Sequence, residues 1–130
     1  DNAGIVRDIA RELARHAIIV THYGSKFDMP FLRAEMAKYR LPVLPPMFGL
    51  DTLKIARANF AVSSRRLGAL GRFFELGEKA EVEGALWMKA AYDGNKAAMD
   101  KIVQHNIVDC ELLERLAALC FQFVKSIPRL

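Results

Sequence analysis

Only two short stretches of this chain carry the pattern of a β-strand, and helical patterns surround both. Ala17-Ile18-Ile19-Val20 is apolar, lacks polar alternation and is rich in β-branched residues, the pattern of a strand buried on both faces of a parallel sheet. Met47-Phe48-Gly49-Leu50 is the second candidate. Ahead of the first, Asp1-Asn2 reads as a helix cap, followed by Ile5, Val6, Ile9, Ala10, Leu13 and Ala17 at helical spacing, with Arg7, Arg11 and Arg15 on the other face. Between the strands, Pro30 suits the first turn of a helix whose buried side is Phe31, Leu32, Met36 and Tyr39, and Pro42, Pro45 and Pro46 end it. Asp51-Thr52 caps a helix through Leu53, Ile55 and Ala56. Ser63-Ser64 caps the next, with Leu67, Leu70 and Phe74 on one face and Gly77 as its stop. A helix around 85–91 reaches the turn Asp93-Gly94. Asn95 then caps a long helix to about Ser126, with Ile102, Val103, Leu112, Leu113, Leu116, Leu119, Cys120 and Phe123 inward.

The alternation of strand and helix argues for an α/β fold with two short parallel strands and several helices, in one domain over 1–130. A two-stranded sheet is marginal by itself. The expectation is therefore that the first strands of the sheet are missing from this chain; a nearly all-helical domain is the alternative. At 52% hydrophobic residues, 130 residues can bury a core. The net charge of +4 permits an anionic partner without requiring one. Its distribution is more informative: from Asp51 to Glu75 the intervening charges are all basic (Lys54, Arg57, Arg65, Arg66, Arg72), and Glu75, Glu78, Glu81 and Glu83 follow. Such polarity suits one face turned to nucleic acid, or simply solvated helix faces.

Cys110 and Cys120 fall on one helix, ten residues and roughly 15 Å apart, too far for a mutual disulfide, and read as reduced core residues. There is no Cys/His cluster for zinc. No run approaches the ~20 apolar residues of a membrane span, and no signal peptide is visible. A cytoplasmic protein without membrane contact is expected.

Two stretches carry candidate chemistry. Thr21-His22-Tyr23-Gly24-Ser25-Lys26-Phe27-Asp28 places a carboxylate just after the first strand, where ligands collect in open α/β sheets. Asp28 suits a metal there, although taken alone it reads first as a helix cap through Phe31. His105-Asn106-Ile107-Val108-Asp109 places His105 and Asp109 on one helix face. That pair reads as a metal carboxylate beside a proton acceptor, or as an ion pair at a solvated edge. His22, Tyr23, Ser25 and Lys26 are polar groups able to hold a phosphate or a terminal sugar, and Tyr23 and Phe27 can stack on a base, although Phe27 also reads as core. Asp51 is expected to be a cap, with a lesser claim on metal. His16 reads as a surface residue near a helix end, and Trp87 and Tyr92 as packing residues.

These residues resemble the DEDD-type 3′–5′ exonucleases of the ribonuclease-H-like superfamily, in particular the phage and prokaryotic exonuclease domains related to polymerase proofreading domains. The stretch 21–32 is similar to the family's second motif, with His22-Tyr23 where that motif usually reads His-Asn. Asp51-Thr52-Leu53 resembles the stretch after the next strand. Ser64, Leu67, Leu70, Gly77-Glu78-Lys79 and Leu86-Trp87 resemble the connecting region. His105 to Asp109 resembles the third motif, at the spacing of the tyrosine-containing subclass but with histidine in the tyrosine position. The family's first motif, Asp-x-Glu on the first strand, has no counterpart before Thr21, where only Asp1, Asp8 and Glu12 occur.

The resemblance implies the C-terminal part of a ribonuclease-H-like fold and a two-metal 3′–5′ exonuclease using Mg²⁺ or Mn²⁺. Asp28 and Asp109 are implied as metal ligands, and His105 with them as catalytic. His22, Tyr23, Ser25, Lys26, Phe27, Asn106, Arg65 and Arg66 are implied contacts to nucleic acid, with the 3′ end of single-stranded DNA as substrate. The site would be incomplete in this chain, and a missing N-terminal segment or a partner would complete the sheet. The alternative is a non-catalytic nucleic-acid-binding or scaffold module with the same fold. A helical interaction domain with accidental motif matches is a third.

Overall fold

The computed structural model describes residues 2–78 and 84–130, without the side chains of Trp87, Ala91 and Tyr92. Lys79, Glu81 and Glu83, and the packing expected of Trp87 and Tyr92, lie outside what is described. Among the described residues the fold is α/β, with six α-helices and two parallel strands in one sheet. The order is α1 (Ala3–Leu13), β1 (Ile18–Thr21), α2 (Asp28–Lys38), β2 (Phe48–Asp51), α3 (Thr52–Asn59), α4 (Leu67–Phe73), α5 (Gly84–Tyr92) and α6 (Lys96–Cys120), then a 3₁₀ turn at Phe121–Phe123. No described helix is long and apolar enough to cross a membrane.

The chain forms two compact units. The first is Asp1–Ala61 with Cys120–Leu130, and the second is Val62–Leu119. In the first, β1 and β2 pair in register from Ile18↔Phe48 to Thr21↔Asp51, so the two strands end side by side. The C-terminal segment closes the other edge of β2: Gly49 N donates to Pro128 O (2.9 Å) and Leu130 N to Met47 O (2.8 Å). Among the described residues β1 pairs with β2 alone, which leaves its outer edge open. Val6, Met29, Met36, Met47, Leu50, Leu53, Ala56 and Cys120 are this unit's buried apolar residues.

In the second unit α4 lies against α6. Leu70, Leu112 and Leu116 are fully buried. Gly71 is the close-approach point: a Cβ there would stand 2.8 Å from Gly77 O and 2.9 Å from a Leu112 methyl. Because one obstacle is backbone, Gly71→Ala is expected to cost about 1–3 kcal/mol, read as a lower chemical-denaturation midpoint at unchanged slope. Ala90, Ala98 and Ile102 form a smaller cluster with Leu86 packed on it. As expected, Asn95 caps α6, its Oδ1 accepting from Ala98 N at 2.9 Å.

Several expectations are corrected. The first strand is not buried on both faces: Ile18 and Val20 are exposed, as are Ile5 and Ile9 of α1, and among the described residues β1 pairs with β2 alone. On α2 the buried stripe runs through Met29 and Met36, and Phe31, two residues from Met29 and so on the opposite side, is 66% exposed. The long helix ends at Cys120 rather than near Ser126, and Val103 and Phe123 face solvent. Asn2 stands at the N-cap of α1 and Arg66 at that of α4, neither with a side-chain cap bond; Ser64 Oγ instead accepts from Arg66 N at 3.4 Å. Cys110 is exposed and Cys120 buried, both free, and burial pushes the Cys120 thiol up. His16 is exposed, paired with Glu12 at 3.1 Å. Its hydrogen bond, then the Arg15 charge, hold the Glu12 carboxyl below its ordinary range.

Candidate functional site

The loop after β1 is built onto the end of β2. Thr21 and Asp51 are register partners, so the loop leaves its strand beside the residue that opens α3. Asp51 is the N-cap of α3, its Oδ1 accepting from Leu53 N at 3.0 Å as the sequence suggested. It also reaches across. Oδ1 accepts from Tyr23 N at 2.8 Å, and Oδ2 accepts from Ser25 Oγ at 2.5 Å. Burial pushes the Asp51 carboxyl up, but the Ser25 hydroxyl and the Tyr23 and Leu53 amides more than reverse this, and the net direction is down.

Thr52 makes the second tie. It is 0% exposed, and its Oγ1 donates to Thr21 O at 3.0 Å. Its single proton is thereby used, so the 2.7 Å contact with His22 Nδ1 has the imidazole donating. In the neutral form the ring then carries its proton on Nδ1. Thr52→Val removes both hydrogen bonds with little change of shape. It is expected to cost about 1–2 kcal/mol, and nitrogen NMR should show His22 leaving the Nδ1–H tautomer.

Tyr23 pays for this arrangement with a left-handed backbone at φ 76°, rare for a bulky residue and held by surrounding bonds. Lys26 N and Phe27 N donate to Tyr23 O at 3.2 and 3.1 Å. Gly24 is buried where a Cβ would overlap the Thr21 side chain, and its N donates to Thr21 Oγ1 at 3.1 Å. The Arg57 guanidinium lies 5.1 Å from the Tyr23 ring centroid, a cation–π contact. Outward from this lock the loop presents Lys26, and Phe27 is 65% exposed rather than core.

Asp28 is the first residue of α2, behind Phe27 at the N-cap position, so it is not the cap. Its side chain is exposed and makes no hydrogen bond to a described residue, at the positive end of the helix. The other candidates belong to the second unit. His105 and Asp109 continue the stripe of α6 that buries Ile102 and Leu112, and both are half-buried. They thus sit within the inward face and not at a solvated edge. His105 Nδ1 is buried without a hydrogen-bond partner among the described residues, a cost that a ligand or water at this face would relieve. Asn106 is exposed; Arg65 is half-buried just before α4, and Arg66 is exposed at its start.

The structure therefore brings His22, Tyr23 and Ser25 together around Asp51 and Thr52 in the first unit, with Lys26, Phe27 and Asp28 following. It places His105, Asn106 and Asp109 on one helix of the second, which also holds Arg65 and Arg66. Sequence reasoning missed Thr52 as the partner of His22 and Arg57 as that of Tyr23. The signal for Thr52 was a hydroxyl next to a strand-end carboxylate; nothing local pointed to Arg57. Asp28 and Asp109 are the hard oxygen donors a divalent cation takes. Among the described residues, however, no group of three or more His, Cys, Asp or Glu could hold a metal ion. Two carboxylates fall short of a complete site, and the described residues do not assemble one by themselves.

Against known proteins, the model of the RNase_H_2 family, described as RNase_H superfamily, matches residues 1–120. No curated protein and no solved structure matches the chain. Membership of that superfamily suggests nuclease-like hydrolysis of nucleic acid, for which divalent metals are typical. With all but the last ten residues matched, the chain belongs to the RNase H superfamily.

Proposed function

We propose that this chain is the C-terminal part of a metal-dependent 3′–5′ exonuclease domain acting on the 3′ end of single-stranded DNA. The observation that carries this is the family match over 1–120, which spans both candidate stretches in their expected order. In this reading Asp28 and Asp109 are two of the carboxylates that hold Mg²⁺ or Mn²⁺, and further carboxylates come from an Asp-x-Glu strand laid along the open edge of β1. The strand belongs to the same polypeptide or to a partner. Such ions polarise a phosphodiester and lower the pKa of attacking water. His105 takes up or orients the water's proton, a role suited to an imidazole. Tyr23, Lys26, Phe27 and Asn106 meet the terminal nucleotides. Arg65 and Arg66 meet the phosphates further along. His22 and Ser25 keep the loop in place from beneath.

The test is hydrolysis of a 5′-labelled single-stranded DNA in Mg²⁺, by the chain alone and by the chain with the Asp-x-Glu strand supplied. Stepwise shortening from the 3′ end by the second, and little cleavage by the first, is expected. Binding without cleavage by both would identify a non-catalytic module instead. Full cleavage by the chain alone would remove the need for a completing strand.

A further inference from the structure

A cleft of about 440 Å³ opens between α3 and the C-terminal segment, beyond the end of β2, and of the two candidate stretches Ser25 alone is among its lining residues. Its size suits a small organic ligand, and its position beyond a parallel strand's carboxyl end is where such ligands bind. The lining includes Leu50, Ile55, Phe123, Lys54 and Lys125. Both lysines are exposed, and neither makes an ion pair with a described residue. The cleft's carboxylate, Asp51, does not neutralise them cheaply: Oδ1 already accepts from Tyr23 and Leu53 amides and Oδ2 from the Ser25 hydroxyl. Two uncompensated ammonium groups beside one cleft favour an anion. The apolar side is equally specific. Phe123 is fixed edge-to-face against Phe60, ring centroids 5.2 Å apart, yet is 39% exposed, which leaves ring surface for a planar group. Asn59 lines the cleft too, and its Nδ2 is committed to Ile55 O at 2.8 Å, so its carbonyl oxygen is the atom left to accept from a ligand.

We propose that this cleft is a nucleoside monophosphate site, with the phosphate held by Lys54 and Lys125 and the base against Phe123. The choice of a nucleotide among planar phosphates rests on the nuclease reading, whose product is of that class; the phosphate site itself does not.

Titration of 5′-AMP into the isotope-labelled chain without added metal tests this. Amide shifts are expected at 50–55 and 123–126. Adenosine and inorganic phosphate should each bind at least tenfold more weakly than 5′-AMP, and the exposed double substitution K54Q/K125Q should weaken 5′-AMP at least tenfold while leaving the fold intact. No shifts in the cleft, equal binding of adenosine and 5′-AMP, or indifference to K54Q/K125Q would overturn the proposal. Phe123→Ala provides the second handle: it should weaken 5′-AMP while sparing phosphate, and equal effects on both would remove the base from the account. The two proposals fail separately. A domain completed by the Asp-x-Glu strand that binds 5′-AMP through these lysines but never cleaves DNA ends the nuclease reading alone, and an active completed domain whose 5′-AMP binding is indifferent to K54Q/K125Q ends this one alone.

Discussion

Asp51→Ala should lower the melting temperature by about 10 °C, the largest stability effect expected of any single polar substitution in the chain. The side chain caps α3 through Leu53 N and holds the neighbouring loop through Tyr23 N and Ser25 Oγ. Loss of a cap costs about 1 kcal/mol, and hydrogen bonds to a charged acceptor contribute about 1.5–3 kcal/mol each, so a net loss of about 3 kcal/mol is expected once some relaxation is allowed. The Tyr23 backbone, held at φ 76°, then loses the bond that keeps it there and returns to a common conformation. Thermal melts measure the first effect, and amide exchange at 22–27 the second.

The pH dependence has a definite sign. The Asp51 carboxyl titrates lower in the folded chain than in the unfolded one, despite its burial, because of the Ser25, Tyr23 and Leu53 donors. Its contribution is therefore present above the unfolded carboxylate range and is lost as pH falls through the folded value, below about pH 4. Asp51→Asn should flatten that part of the stability profile, and an unchanged acid limb would show that Asp51 is not the group responsible.

The second large effect concerns catalysis. In the domain completed by an Asp-x-Glu strand, Asp109→Ala and Asp28→Ala should each reduce hydrolysis of single-stranded DNA by on the order of 10³-fold, since a lost metal carboxylate removes several kcal/mol of transition-state stabilisation. Binding of the same DNA should change far less, because affinity rests on phosphate contacts such as those proposed for Arg65 and Arg66. Equal losses in binding and cleavage would instead make these carboxylates structural. His105→Ala should act mainly on the rate, with its pH dependence altered.

Much of the fold could be read from local pattern. The order of helices and strands, the Asn95 cap and the Asp51 cap all follow from residues within one turn of each other. What failed depended on what an element packs against. Ile18-Ile19-Val20 has the composition of a strand buried on both sides, and Phe27 and Phe31 that of core, yet composition does not say whether a covering layer is present. Asp28 had the residue type of a cap but stands one position too late, behind Phe27. The candidate stretches could be found because each is contiguous. The Thr52–His22 and Arg57–Tyr23 contacts join residues 30 and 34 positions apart, and only the parallel register of β1 and β2 brings them together.

The proposed nuclease function requires Asp28 and Asp109 to act on one cation. A double-mutant cycle on hydrolysis rate tests it most directly, with Asp28→Ala, Asp109→Ala and both together in the completed domain. Groups acting as one unit fail together, so the double variant should be no slower than the slower single variant. Losses that multiply, or full activity in either single variant, would show that Asp28 and Asp109 do not share a cation.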